Sequence, residues 1–205
     1  AVPDEQIVQT HVSRLVVDVE RFEDDAQEKM AERGMGAIYM STSQLTPLRR
    51  TLTPVEREAL LDNYYRPHHL RLTQAVEGLL EQHGHALLID CHSFPNKSLP
   101  YEFDTVEQLR PNICLGTDSF HTPKTVVEAL AAEFSALDLS VAIDEPFAGS
   151  LVPLKHYQRD DRVSSIMIEV NRALYIDESS GLKNDDFQKV QLKLQHALRS
   201  ALANA

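Results

Sequence analysis

The sequence predicts an α/β fold in which a mostly parallel sheet is covered by helices on both faces. Short apolar runs such as residues 86–89 and 165–170 have the length and composition of buried strands. Amphipathic segments alternate with these runs, and two of them open with the helix-start dipeptide Thr-Pro. Strands that alternate with helices are typical of a largely parallel sheet, whose ligands collect at the carboxyl ends of the strands.

The elements follow one another in a regular order. The predicted strands are residues 11–19, 86–89, 113–115, 139–143 and 165–170. Thr53, with Pro54 and Glu56 behind it, predicts a helix start, and Pro67 predicts a break or kink in that helix. A second helical pattern continues to Gly84, which predicts its end. Two further helices are predicted over residues 122–137 and 185–203.

Composition limits the class of protein. The 205 residues suit a single domain over residues 1–205, which buries roughly 70% of its unfolded surface. The net charge is −11, and no basic stretch is longer than Arg49-Arg50, so we expect no nucleic-acid partner. No apolar run has the length of a membrane span, and two cysteines make no disulfide framework. These features favour a cytoplasmic protein without a membrane partner, and they leave its oligomeric state open.

Residues 90–93 (Asp-Cys-His-Ser) form the first cluster that could carry chemistry. Strand alternation places Asp90 and His92 on one side and Cys91 on the other. A histidine beside a carboxylate is a good metal ligand, because the carboxylate can hydrogen-bond to one ring nitrogen and so orient the other toward the metal. A purely structural, hydrogen-bonded His92 is the alternative. For Cys91 and Cys114, inert buried thiols are favoured over nucleophiles.

Glu169 lies inside the apolar run of residues 165–170. A carboxylate there must be paired, metal-bound or protonated, since an isolated buried charge is costly. Burial suits a general base that takes a proton from water. A salt bridge to Arg172 or to another arginine is an equally good explanation.

Other candidates are arginines and histidines. Arg14 and Arg21 flank the first predicted strand and could clamp the carboxylates of an anionic substrate, or Arg21 could pair with a neighbouring acidic residue, Glu20 or Glu23. For His68, at the predicted helix break, we favour a structural role or a role in supporting a metal ligand without binding the metal. His121 precedes a helix, where it could contact substrate or sit in a surface turn.

Five segments together resemble the N-formylglutamate amidohydrolase family. Residues 13–21 resemble its Ser-Arg-aromatic-Val-Val-Asp-Leu-Asn-Arg segment, and residues 90–93 its Asp-x-His-Ser. Further similar segments are residues 113–117 (Leu-Gly-Thr), 146–149 (Pro-Phe-x-Gly) and 168–175 (a Glu and a later Tyr). Each motif is short, but their order and their spread over nearly the whole chain make the resemblance specific.

The resemblance implies a three-layer, mixed-sheet fold of the phosphorylase/hydrolase type, related to zinc carboxypeptidases. It implies a hydrolase that cleaves the amide of an N-formyl or N-acyl acidic amino acid, and in the first place converts N-formyl-L-glutamate to L-glutamate and formate in histidine breakdown. His92 is similar in order and setting to a zinc ligand of that fold, and Glu169 to its base, with Zn²⁺ or another divalent metal as cofactor. The remaining predicted site positions are Arg14, Arg21, Asn171 and Arg172 at the substrate, with Asp90, His68 and His121 supporting the site.

Two departures from the family pattern matter. The family opens with a Pro-His-Ser/Ala-Gly/Ser segment that nothing before His11 matches, so we expect its first strand and at least one metal ligand to be absent from this sequence. Glu20 stands where the family more often has Asn, which favours a different N-acyl amino acid as substrate. The alternatives are therefore an inactive binding module or fragment for acidic amino-acid derivatives, and an amidohydrolase that uses Cys91.

Overall fold

The structure, a computed structural model, describes residues 7–103 and 110–203. Its internal contacts fall into two compact units. The first unit comprises the chain up to Gly84 together with residues 99–103, and the second comprises residues 85–98 and 110–203. Whether these two units together form the predicted single domain over residues 1–205 is not tested by this division, and the single domain stays a prediction. Over the described ranges, no helix is long and apolar enough to span a bilayer.

The first unit contains the predicted helix start. Helix α1 covers Pro54–Leu60 and begins with a capping box, in which Thr53 Oγ1 accepts from the Glu56 N–H and the Glu56 carboxylate accepts from the Thr53 N–H. The two contacts satisfy amide groups that the first helical turn leaves without partners. A π-helical turn, Leu61–Tyr65, continues directly from α1.

Of the break or kink predicted at Pro67, the break does not occur, because helix α2, Arg66–His83, follows the π-helical turn without interruption; a kink stays a prediction. A proline inside a helix removes one N–H donor and collides with a carbonyl of the preceding turn. The wider π-helical turn shifts those carbonyls, and Pro67 falls in the first turn of α2. Gly84 ends α2 with a left-handed φ of 76°, as the sequence predicts.

The strand predicted over residues 11–19 is also wrong. Ser13 Oγ accepts from the Leu15 N–H, and the Ser13 carbonyl accepts from the Val16 N–H, which closes a local turn. Such local bonds compete with strand pairing. Val17 and Val19 are nevertheless buried, in a small core shared with Ala37, Ile38, Leu61 and Tyr65.

The second unit is built on a mixed sheet. Among the described residues, its strands are β1 (Ala86–Phe94), β2 (Ile113–Gly116), β3 (Val141–Ile143) and β4 (Val163–Asn171), in the order β1-β4-β2-β3. β1 pairs with β4 and β2 with β3 in parallel, while β2 and β4 are antiparallel. The α/β class and the mostly parallel, mixed sheet are confirmed. The third layer and the carboxypeptidase-like topology stay predictions.

Helices α3 (Lys124–Ala136) and α4 (Phe187–Ala203) pack on one face of this sheet. Ile166 and Ile168 of β4 lie in the shared core with Leu115 of β2, and all three are at most 4% exposed. Because side chains alternate along a strand, Met167, Glu169 and Asn171 point to the opposite face. That opposite face carries the candidate site.

Candidate functional site

Three polar side chains form a row across adjacent strands. His92 of β1 is in register with Glu169 of β4, and Glu169 is in register with Cys114 of β2. Residues directly opposite each other in a sheet share a face, and adjacent strands lie about 4.8 Å apart. We call His92, Glu169 and Cys114 the polar row. The structure therefore brings together the two residues that the sequence predicts as metal ligand and base.

The Asp90–His92 pair lies at one end of the polar row. Asp90 Oδ1 is 2.9 Å from His92 Nε2, and both side chains are largely buried. The prediction that strand alternation brings these two side chains together is confirmed by this contact. An imidazole nitrogen beside a carboxylate oxygen is a donor set that zinc and other divalent metals accept. Both groups therefore fit the metal that the sequence predicts.

Glu169 lies in the middle of the polar row and is 7% exposed. The sequence offered a salt bridge to Arg172 as an explanation for this buried carboxylate. Instead, Arg172 donates from Nε to Ser93 Oγ at 3.1 Å and from Nη2 to the Ser93 carbonyl at 2.8 Å. These two bonds join the carboxyl ends of β4 and β1, so the Arg172 guanidinium holds the strand ends together.

The two cysteines differ in their surroundings. Cys114 is fully buried, its Sγ donates to the Phe147 carbonyl at 3.2 Å, and burial followed by the charge of Glu169 raises its pKa to about 11. Cys91 is exposed, so the prediction of a buried Cys91 is wrong. Partial desolvation and the charge of Asp90 raise the pKa of Cys91 as well. Both thiols stay protonated at neutral pH, which disfavours thiolate chemistry.

Two of the family-like motifs support the sheet rather than the chemistry. A Cβ on Gly116 would lie 2.5 Å from the Gly149 carbonyl oxygen, closer than any real contact. Gly149 also donates to the Thr117 carbonyl at 3.1 Å. Glycine at position 116 therefore lets the loop that contains residues 146–149 approach β2 closely.

Both the nitrogen and the oxygen of the Asn171 side-chain amide form hydrogen bonds within the protein. Nδ2 donates to Asn96 Oδ1 and to the Pro111 carbonyl, each at 3.1 Å, and Oδ1 accepts from the Ala173 N–H at 3.1 Å. The side chain is 3% exposed. These contacts fasten the segments around the carboxyl end of β4. Substrate binding by Asn171 and Arg172 stays a prediction, and the structure gives both residues structural partners.

His121 is 2% exposed, so the alternative of a surface turn residue is wrong. Its Nδ1 lies 2.7 Å from the Val163 carbonyl oxygen, and its Nε2 accepts from the Gln158 N–H at 2.7 Å. Both ring nitrogens therefore connect the start of β4 to a neighbouring loop. Contact between His121 and a substrate stays a prediction.

Asp18 is the centre of a buried cluster in the first unit. Tyr39 donates its hydroxyl to Asp18 Oδ2 at 2.5 Å, and Arg21 Nε lies 3.6 Å from the same oxygen. Arg21 Nη1 is 4.0 Å from Glu28, so these two carboxylates take the place of the surface partners that the sequence suggested. For Arg14, burial opposes the cation, but negative charges led by Asp18 outweigh it and raise the pKa.

The adjacent histidines of α2 also belong to the first unit. His68 is 4% exposed, and burial, followed by the charges of its neighbours, lowers its pKa to about 4. His69 Nε2 lies 2.9 Å from the Val19 carbonyl oxygen, and its ring packs 4.2 Å from the Tyr65 ring. His68 is therefore neutral at pH 7, and a role for it near the metal stays a prediction.

Sequence reasoning missed two features of the second unit. One is a cavity of about 240 Å³ whose lining is mostly apolar: His92, Val170, Tyr175, Phe187, Val190, Gln191 and Leu194. The other is Arg110, whose guanidinium lies over the rings of Phe94 and Phe147. Both depend on contacts between distant segments, and no local pattern signals either.

Comparisons with known proteins agree with the motifs. Residues 2–176 match the model of the family described as N-formylglutamate amidohydrolase. The chain is 27% identical to the N-formylglutamate deformylase of Pseudomonas putida, over 96% of this chain and 74% of that protein. It is 26% identical to the N-formylglutamate deformylase of Pseudomonas aeruginosa, over 94% of this chain and 73% of that protein.

Solved structures show the same relationship. The crystal structure of N-formylglutamate amidohydrolase from Ralstonia eutropha aligns with a TM-score of 0.80 at 27% identity, over 93% of this chain and 74% of that one. A gene product of Agrobacterium tumefaciens shares the fold, with a TM-score of 0.64 at 18% identity, over 94% of this chain and 68% of that one. The family match spans both the Asp90–His92 pair and Glu169. The chain belongs to the N-formylglutamate amidohydrolase family.

Proposed function

We propose that this protein is a metal-dependent hydrolase that cleaves the amide of an N-acyl acidic amino acid, with N-formyl-L-glutamate as the first candidate substrate. The observation that carries the proposal is the register of His92 with Glu169, with Asp90 in contact with His92. Family membership supports the same reaction, because the Pseudomonas relatives are named N-formylglutamate deformylases.

The metal is proposed to lie at the Asp90–His92 pair. His92 would be a ligand, and Asp90 would either orient its ring or bind the metal directly. When bound, a divalent metal such as zinc supplies a Lewis acid for the formyl carbonyl and lowers the pKa of water toward about 7. The chain's own side chains then have to bind the substrate and move the proton.

Glu169 is proposed to move that proton. Its buried carboxylate shares a face with His92 on the neighbouring strand, so one water can lie between the two groups. Glu169 takes a proton from this water as the oxygen attacks the formyl carbon. It then returns the proton to the amide nitrogen as the carbon–nitrogen bond breaks, which yields formate and a free amino group.

Arg21, with Arg14, is proposed to bind carboxylate groups of the substrate. The support is the family-like segment of residues 13–21 and the contact with Asp18, which orients the Arg21 guanidinium. Glu20, where the family more often has Asn, adds a negative charge to this segment. If N-formyl-L-glutamate proves a poor substrate, this extra charge favours a substrate with a different acyl group or a different amino acid from N-formylglutamate.

Release of the acyl acid, which is formate or acetate according to the substrate, together with the free amino acid tests the proposal. The purified protein is incubated with N-formyl-L-glutamate, N-acetyl-L-glutamate or N-formyl-L-aspartate, before chelation, after chelation and after zinc is restored. We expect at least one substrate to be cleaved, with activity lost on chelation and regained with zinc. Activity that survives complete metal removal would contradict the metal-dependent mechanism. Binding of L-glutamate without cleavage of any substrate would favour an inactive binding module instead.

A further inference from the structure

The Arg21 side chain of the first unit is charged, largely buried and incompletely paired. It is 25% exposed, and its Nε is buried and forms no hydrogen bond within the part of the chain that the structure describes. Two carboxylates lie close by: Asp18 Oδ2 is 3.6 Å from Nε, and Glu28 Oε1 is 4.0 Å from Nη1. Both distances are longer than a charge-assisted hydrogen bond of about 2.8 Å. Because an unpaired buried donor is costly, this arrangement requires a physical explanation.

Other donors already occupy both oxygens of Asp18. Oδ2 accepts from the Tyr39 hydroxyl, and Oδ1 accepts from the Glu20 N–H at 3.1 Å. Asp18 is only 2% exposed, so these two contacts fix the carboxylate in one orientation. The charge of Asp18 therefore attracts the Arg21 guanidinium, while its oxygens are directed at other groups.

Glu28 is occupied in the same way. Its Oε1 accepts from the Met30 N–H at 2.9 Å, and its Oε2 accepts from the Phe22 N–H at 3.1 Å. The backbone of Arg21 is fixed as well, because its carbonyl accepts from the Tyr65 hydroxyl at 2.7 Å. Two negative charges and a fixed backbone thus hold the guanidinium in place, and neither carboxylate forms a hydrogen bond with it.

Tyr39 is the side chain that maintains this arrangement. Burial, followed by the negative charge of Asp18, raises the pKa of Tyr39, so its hydroxyl keeps the proton and remains a donor. The other donors to Asp18 and Glu28 are backbone N–H groups. If the hydroxyl were removed, Asp18 Oδ2 would need a new donor, and Arg21 Nε is 3.6 Å away. A shift of about 0.7 Å would bring Nε into hydrogen-bond distance of Asp18.

We propose that Tyr39 is a positioning residue for substrate binding: by occupying Asp18, it keeps the Arg21 guanidinium open to a carboxylate of the substrate. This inference rests on the proposed role of Arg21 as a partner of substrate carboxylates. A substrate carboxylate brings the acceptor that neither Asp18 nor Glu28 provides, and it can form two parallel hydrogen bonds with a planar guanidinium. Because the guanidinium is already held in place, binding restricts its side chain little further.

Equilibrium binding of L-glutamate, measured by titration calorimetry, tests this inference separately from turnover. The proteins are the wild type, Tyr39→Phe, Arg21→Met, the double variant and the control Tyr64→Phe, which changes a tyrosine that is 40% exposed. We expect Tyr39→Phe to bind about 10-fold more weakly than the wild type and the control, because Asp18 then competes for the guanidinium. In the Arg21→Met background, Tyr39→Phe should cause no further loss, since Tyr39 acts through Arg21.

Three results would overturn the inference: a wild type that does not bind L-glutamate, wild-type affinity in Tyr39→Phe, or the same loss from Tyr39→Phe with and without Arg21. The last result would show a merely structural role. A wild type that binds L-glutamate with the expected dependence on Tyr39, but cleaves no substrate, would end the proposed hydrolase function and leave this inference standing.

Circular dichroism shows whether the variants fold. If Tyr39→Phe does not fold, nuclear magnetic resonance of the wild type replaces it, with the Arg21 Nε–H signal identified by its loss in Arg21→Met. We expect this proton to resonate without the downfield shift that a hydrogen bond to a carboxylate produces. A strongly downfield signal in the free wild type would mean that Asp18 already binds Arg21, and the inference would be overturned.

Discussion

The two units of the protein bury charged groups in different ways. In the first unit, Asp18 is 2% exposed and contacts both Tyr39 and Arg21, so its charge is satisfied inside the unit. In the second unit, Glu169 is 7% exposed and lies in register with His92 and Cys114 near the carboxyl end of β4. Burial of a carboxylate alone does not distinguish these cases.

The distinction comes from what surrounds each carboxylate. A tyrosine hydroxyl and an arginine stabilise the ionised form of Asp18, which is a structural arrangement. Glu169 is in register with an imidazole on one neighbouring strand and a thiol on the other, and the imidazole suits metal binding. The comparison therefore favours a stabilising role for Asp18 and agrees with the proposed catalytic role of Glu169, and substitutions can separate the two roles.

Glu169→Gln should have the largest effect, on activity. Removing the proton acceptor should lower kcat for the cleaved substrate about 1000-fold, because general-base catalysis contributes that order of rate. Stability to urea and metal content should stay close to the wild-type values, since the amide keeps the shape of the carboxylate. The exposed Glu128→Gln is the control and should keep full activity. A Glu169→Gln enzyme with wild-type kcat would remove Glu169 from the mechanism.

Asp18→Asn should affect stability instead. The substitution removes the buried charge that Tyr39 and Arg21 contact, so the free energy of unfolding should fall by about 3 kcal/mol. Urea denaturation followed by circular dichroism measures the change. Asp62→Asn is the matched control, because Asp62 pairs with Arg66 at the surface and should lose at most about 0.5 kcal/mol. Equal losses in both variants would contradict a special role for Asp18.

His68 should make the stability of the protein depend on pH. Burial lowers the pKa of His68 to about 4, so folding favours the neutral ring. This contribution is fully present above the unfolded pKa of about 6.5 and is lost as the pH falls toward 4. His68→Gln should remove about 2 kcal/mol of the pH-dependent loss between pH 7 and pH 4.

Urea titrations at both pH values provide that comparison. The exposed His196→Gln serves as the control and should leave the pH dependence of the wild type unchanged. If His68→Gln and the wild type lose the same stability over this range, the buried neutral state of His68 is contradicted.

The two cysteines should show the smallest effects. Cys91→Ala should keep kcat within about twofold of the wild type, because the raised pKa of Cys91 leaves the thiol protonated. Its unfolding free energy should change by less than about 0.5 kcal/mol. Cys114→Ala removes a fully buried side chain and should cost about 1 kcal/mol. Loss of activity in Cys91→Ala alone would revive a cysteine-dependent mechanism.

The sequence predicted the strands of the second unit well, because buried strands leave short apolar runs. It also placed Asp90 beside His92, since strand alternation is a local rule. It could not give the register of His92 with Glu169 and Cys114, because pairing between distant strands depends on the whole sheet. The proximity of Cys114 to Glu169 therefore had no signal in the sequence.

The failures of sequence reasoning have local causes. Residues 11–19 have strand-like composition, but Ser13 closes a turn with its own neighbours. A proline usually interrupts a helix, yet at Pro67 the helix continues directly after a π-helical turn, whose wider spacing of carbonyls accommodates the ring better. In both cases a specific hydrogen-bond pattern overrode the average preference of the residue types.

The most direct test of the account is the metal content of the wild type and of His92→Ala, measured by elemental analysis on folded protein. The account predicts about one divalent metal ion per wild-type chain and strong depletion in His92→Ala, with unchanged far-ultraviolet circular dichroism in both. A metal-free wild type, or equal metal content in the two proteins, would contradict a metal centre at His92.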